Sequence, residues 1–205
     1  MSVIGLLISF ALLLVSVSVH EFAHGWVAYK CGDNTAKYSG RLTLNPLAHI
    51  DPVGTIILPI SLFIATQGRF VFGAAKPVPV NFSLLRNPKR DIIWVGVSGP
   101  AANFIFAVLL SLLWKVIPAI PIINFIFWSL ITTNVVLGVF NLIPIPPLDG
   151  SRVLMGLLPQ GLAKKYALLE PYGFIIVMLL IFLGLFNAII EPATNIILRL
   201  LLMPL

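Results

Sequence analysis

The chain has 205 residues, 59% hydrophobic and 10% charged, with a mean hydropathy of +1.05. A soluble domain carries about 25% charged residues, so this composition excludes one and points to an all-α, polytopic integral membrane protein, because lipid offers unpaired backbone no partner. The formal charge of +6 sits in loops between apolar runs, where it orients the chain and meets anionic lipid rather than nucleic acid.

The first apolar run, from Val3 to about Tyr29, is long enough to cross a bilayer core, which takes about 20 helical residues. It lacks the basic start and small-residue cleavage site of a signal peptide and is read as retained. Near its end stands His20-Glu21-Phe22-Ala23-His24. On a helix, residues i and i+4 share a face, so His20 and His24 can offer two imidazoles to one ion, with Glu21 beside it. Zinc held in this way lowers the pKa of a bound water to about 7, and a neighbouring carboxylate can take the proton. This is the zincin helix pattern, here on a helix hydrophobic enough for a membrane.

Residues 31–50 are polar and turn-rich, and the lone cysteine there, Cys31, excludes an intrachain disulfide or a Cys-rich zinc site. Arg41-Leu42-Thr43-Leu44 alternates weakly, as a short strand would. Residues 52–68 are uncharged but short and hold Gly54 and Pro59, which suits a thin span or a re-entrant segment. In the basic stretch 69–90, prolines keep Ala75-Lys76-Pro77-Val78-Pro79-Val80 extended. Residues 92–114 form a span that presents small residues at Gly96 and Ser98-Gly99-Pro100-Ala101-Ala102, suited to close helix contact. A further span, 122–142, runs into Asn141-Leu142-Ile143-Pro144-Ile145-Pro146-Pro147-Leu148-Asp149-Gly150, where the prolines break the helix. Residues 151–170 read as a loop, 171–190 as another span and 192–205 as a short last helix. The expectation is a single domain over residues 1–205, a bundle of five to six transmembrane helices with short strand or re-entrant segments after the first.

Catalytic zinc usually takes three protein ligands. Only Glu21 and Asp149, among seven acidic residues, lie in or at the ends of long apolar runs, and such groups are functional by default. Asp149 is the expected third ligand. His49, the only other histidine, reads as a polar residue capping the next segment, with a ligand role as the second choice. Asn103 and Asn141 fall in spans, where interhelical hydrogen bonding is the default; the functional option is contact with a substrate carbonyl or the oxyanion, Asn141 being close to Asp149. Ser16 and Ser18 are expected to bond back to helical carbonyls. A shared ion requires the helices carrying His24 and Asp149 to run parallel. The basic loops 69–90 and 152–165 then place 31–50 in the cytoplasm, in a multi-pass protein of the cell (plasma) membrane with a site open to the cytoplasmic side.

These motifs resemble the site-2 protease family of intramembrane zinc metalloproteases, peptidase family M50. The resemblance rests on residues 20–24, on Ser98-Gly99-Pro100-Ala101-Ala102-Asn103 and on residues 141–150, with Gly40-Arg41-Leu42-Thr43-Leu44-Asn45-Pro46 and Ala75–Val80 similar to small bacterial and archaeal members. It implies one catalytic zinc on His20, His24 and Asp149, Glu21 as general base, and transmembrane helices of membrane-tethered proteins as substrates. The chain has no insertion long enough for a PDZ domain and no C-terminal regulatory domain is expected. Two rival readings use the same residues: a membrane metal transporter or sensor, against which stands the clustering of the polar groups at one depth, and a silent scaffold, which has no need of Glu21.

Overall fold

The computed structural model describes residues 3–65, 67, 73, 75–118 and 120–202. Helix α1, Val3–Lys30, contains no proline and no charge before Glu21, and its 28 residues extend over about 42 Å at ~1.5 Å per residue. A short helix α2, Thr35–Tyr38, follows. It is held by Asp33, whose fully buried carboxylate accepts from the Thr35 amide and hydroxyl and, at 2.7 Å, from the amide of Asn81.

Pro52–Ile57 forms a π-helical turn and leads into α3, Leu58–Ala65. Together these 14 residues rise only about 21 Å, too little for a core of ~30 Å. By Gly73 the chain has come back: a Cβ there would lie 2.7 Å from Pro59 and 3.2 Å from the Gly54 carbonyl. Of the expected segment 52–68, residues 66 and 68 lie outside the described residues.

Helix α4, Pro88–Trp114, starts on a proline, whose missing N–H costs nothing in a first turn, and it carries Pro100 buried in its interior. Helix α5, Pro121–Asn141, starts in the same way. The chain then turns through Leu142–Leu148 into α6, Asp149–Leu157. That turn is tight because Gly150 lies against the Leu142 and Ile143 carbonyls, 2.2 and 2.6 Å from where its Cβ would be. Helices α7 (Gln160–Ala167), α8 (Gly173–Phe182) and α9 (Glu191–Leu202) complete the chain.

Contacts between side chains set the directions. Val95 on α4 meets His24 and Asn103 meets Ser16, so α4 runs antiparallel to α1. Asn103 also meets Asn134, and Trp114 donates to Asn124 at 2.9 Å, so α4 is antiparallel to α5 as well. Helices α1 and α5 are therefore parallel, and Asp149, expected at the C-terminal end of its span, instead opens α6 after the turn that follows α5. Ala107, Leu110, Leu130, Ile131, Val135 and Leu198 form the core between α4, α5 and α9. Leu7, Leu109, Leu112 and Leu179 point outward, suiting a lipid-facing surface.

Among the described residues four helical stretches are long and apolar enough to cross a membrane: Ile4–Lys30, Pro88–Trp114, Pro121–Asn141 and Gln160–Phe182. The expected five to six exceeds this. The supposed loop 151–170 is largely helical, and the supposed span 171–190 is broken at Gly184, which takes φ +93°, a value glycine adopts without strain. No strand occurs among the described residues. Arg41–Leu44 makes its neighbouring contact through a side chain instead: the Arg41 guanidinium donates to the Lys76 carbonyl at 2.7 Å.

Candidate metal centre

Helix α1 presents His20 and His24 one turn apart, both buried, with their rings edge to face. Asp149 meets them because it opens α6 directly after the proline turn. The distances are 3.0 Å between the two Nε2 atoms, 3.0 Å from His20 Nε2 to Asp149 Oδ2, and 3.2 Å from His24 Nε2 to Asp149 Oδ1. It is the one group of His, Cys, Asp or Glu among the described residues able to hold an ion.

The far side of each ring shows what the near side presents. His24 Nδ1 faces the Val95 carbonyl at 2.7 Å, and a carbonyl can only accept, so Nδ1 carries the proton. His20 Nδ1 faces Asn103 Oδ1 at 2.5 Å and donates likewise. In the neutral rings both Nε2 atoms then carry lone pairs, aimed at one point together with a carboxylate. No proton stands between them to relieve that convergence, and a cation would. Tetrahedral donors ~2.0–2.2 Å from zinc stand ~3.3–3.6 Å apart, so the observed set fits a zinc ion with a small expansion.

Helix α4 approaches the imidazoles closely because residue 99 is glycine. A Cβ there would lie 2.4 Å from His24 Nε2 and 2.6 Å from His20 Nε2. The small-residue run in the sequence thus serves the centre itself. Above the centre lies a cavity of about 320 Å³ lined by His20, Glu21, His24, Val78, Val80, Asn141, Asp149 and Arg152. Glu21 Oε2 accepts the Val78 amide at 2.7 Å. Arg152 stacks over Phe82 and pairs with Glu170.

The two asparagines part company. Asn141 lines the cavity, with one amide N–H on the Leu137 carbonyl. Asn103 is fully buried behind His20, outside the cavity lining. His49 is fully buried too but stands apart from the centre: its Nε2 faces the Thr43 carbonyl at 3.0 Å and its own carbonyl accepts the Lys76 amide. Ser16 and Ser18 bond back to Leu12 and Leu14. Sequence reasoning passed over the Val78 amide, Gly99 as a contact of the rings, Arg152 and Asn134. Only Asn134, an amide in an apolar run, carried a visible signal.

Residues 8–120 and 114–185 match the model of Peptidase family M50. The chain is 38% identical to YwhC of Bacillus subtilis (strain 168) over 89% of its own length and 84% of that protein. It is 35% identical to Rip2 of Mycolicibacterium smegmatis over 89% of its length and 66% of Rip2, and 29% identical to MJ0392 of Methanocaldococcus jannaschii over 78% of its length and 36% of MJ0392. The names of all three carry the words zinc metalloprotease. No solved structure matches the chain. Two family segments that together run through the stretches holding His20, His24 and Asp149, and a relative matched over most of both lengths, place the chain in peptidase family M50, as a membrane-integral member of the site-2 protease type.

Proposed function

We propose that this chain is a zinc-dependent intramembrane endopeptidase that hydrolyses peptide bonds within or near transmembrane helices of membrane-tethered proteins. The observation that carries the reading is the convergence of His20, His24 and Asp149, at 3.0–3.2 Å, beneath a cavity that also holds Glu21. His20 Nε2, His24 Nε2 and a carboxylate oxygen of Asp149 are the ligands. Bound there, one zinc ion supplies Lewis-acid polarisation of the scissile carbonyl and acidifies water.

Glu21 takes the proton of the attacking water and passes it to the leaving nitrogen. Asn141, at the cavity wall, has a second amide N–H to turn towards the developing oxyanion. A substrate helix must unwind first, since its carbonyls are already bonded. The 75–80 segment, whose Val78 and Val80 line the cavity, holds the unwound stretch by strand addition. Pro52–Ala65, too short to span and approached again by Gly73, is re-entrant, and residues 31–50 and the basic ends of α1 and α4 face the cytoplasm, from which water reaches the site.

The test is purification in detergent, zinc quantification and incubation with a panel of transmembrane peptides. One zinc per chain and internal cleavage are expected. Zinc without cleavage of any peptide, together with zinc flux into liposomes, would favour a transporter instead.

A further inference from the structure

His24 and His20 are oriented by unlike partners. The carbonyl behind His24 is backbone and cannot reverse its role. The partner behind His20 is a side-chain amide, and an amide turned by half a revolution would offer N–H in place of oxygen. His20 would then carry its proton on Nε2 and lose the lone pair that faces the centre.

Something must hold the Asn103 amide one way round. Its Nδ2 donates to Asn134 Oδ1 at 2.6 Å and to the Ser16 carbonyl at 3.3 Å. Asn134 is oriented in turn: its Nδ2 donates to the Leu130 carbonyl at 2.8 Å and to Ser16 Oγ at 2.9 Å. The Ser16 hydroxyl proton goes to the Leu12 carbonyl at 3.0 Å. Every bond runs the same direction, from His20 outward, and the chain ends on carbonyls that can only accept. Asn103, Asn134 and Ser16 are all 0% exposed, so no water can complete a reversed arrangement.

We propose that Asn134 and Ser16 are positioning residues for the metal centre. Acting through Asn103, they fix the His20 tautomer that leaves Nε2 free for the ion. This rests on the reading of His20 as a zinc ligand. Partners of ligating imidazoles change metal affinity by about 10–100-fold, so a comparable effect is expected two side chains away from the ligand.

The test is zinc affinity of the full chain in detergent, by competition with a chelator, together with ¹⁵N NMR of the zinc-free His20 ring. Asn134→Leu, or Asn134→Ala should the first not fold, should weaken zinc about 10–100-fold and turn a single Nδ1–H tautomer into a mixture. Adding Asn103→Asp should restore affinity, because a carboxylate accepts from His20 Nδ1 whichever way it turns. A role in packing alone predicts no rescue, since the second change adds buried charge. Wild-type affinity and an unmixed tautomer in both Asn134 variants, or a loss that Asn103→Asp leaves unrepaired, would overturn the proposal. A wild-type chain that holds no zinc would remove the metal reading and this inference with it.

Discussion

Glu21 accepts a hydrogen bond from the backbone amide of Val78, 2.7 Å away. That amide is the only N–H between Lys76 and Val80, because residues 77 and 79 are prolines. On the N-terminal side the segment is fixed by other bonds: the Lys76 amide to the His49 carbonyl, and the Lys76 carbonyl to Arg41. The proline pattern thus leaves one donor, and the fold sends it to the carboxylate proposed as general base. A hydrogen bond to a charged group is worth about 1.5–3 kcal/mol, so Val78→Pro should slow peptide cleavage about 10–100-fold with zinc content unchanged. Equal turnover in the variant would show that the bond does not matter to the base.

Glu21→Gln keeps the side chain's size and removes its basicity. General acid–base groups contribute about 10²–10⁴-fold, and cleavage should fall by at least that much while zinc stays bound. The check is metal content and peptide turnover on one preparation. Undiminished proteolysis would take Glu21 out of the mechanism.

At position 99 the expected effect is on the metal rather than the base. A methyl group on Gly99 would collide with both imidazoles, so Gly99→Ala should push α4 away and lose most of the zinc. The helix content seen by circular dichroism should stay at the wild-type level. Full zinc occupancy in this variant would mean that α4 does not press on the rings.

The sequence showed the two histidines through their i, i+4 spacing and Asp149 through the scarcity of acids near apolar runs. It could not show Asn103 behind His20, because that contact depends on the antiparallel register of α1 and α4, which no local pattern encodes. The helices of residues 149–167 were missed because Arg152, Lys164 and Lys165 dilute the apolar signal that marks a span, although α6 and α7 are helical. The span read over 171–190 looked continuous because Gly184 gives no hydropathy signal, yet it turns the chain. The alternation of Arg41–Leu44 suggested a strand, but Arg41 spends its donors through its side chain on the neighbouring segment.

Cys31, just past the end of α1, is a native reporter of orientation, being the only cysteine and partly exposed. Its thiol is pushed up by burial and by nearby Asp91, against a smaller opposing effect of Arg86 and Arg90. Since the thiolate is the reactive form, labelling by a membrane-impermeant maleimide should be slower than for a free thiol at pH 7 and should speed up as the pH rises. It should occur in inverted vesicles and not in intact cells. Labelling from outside the cell would reverse the proposed topology.

X-ray absorption at the zinc edge reports the ligands of the bound ion directly. The expected spectrum shows nitrogen and oxygen donors at ~2.0–2.2 Å with the outer-shell scattering of two imidazoles, and it loses one light-atom donor in Asp149→Ala. Scattering from a single imidazole, or a first shell untouched by loss of the residue 149 carboxylate, would contradict the proposed centre.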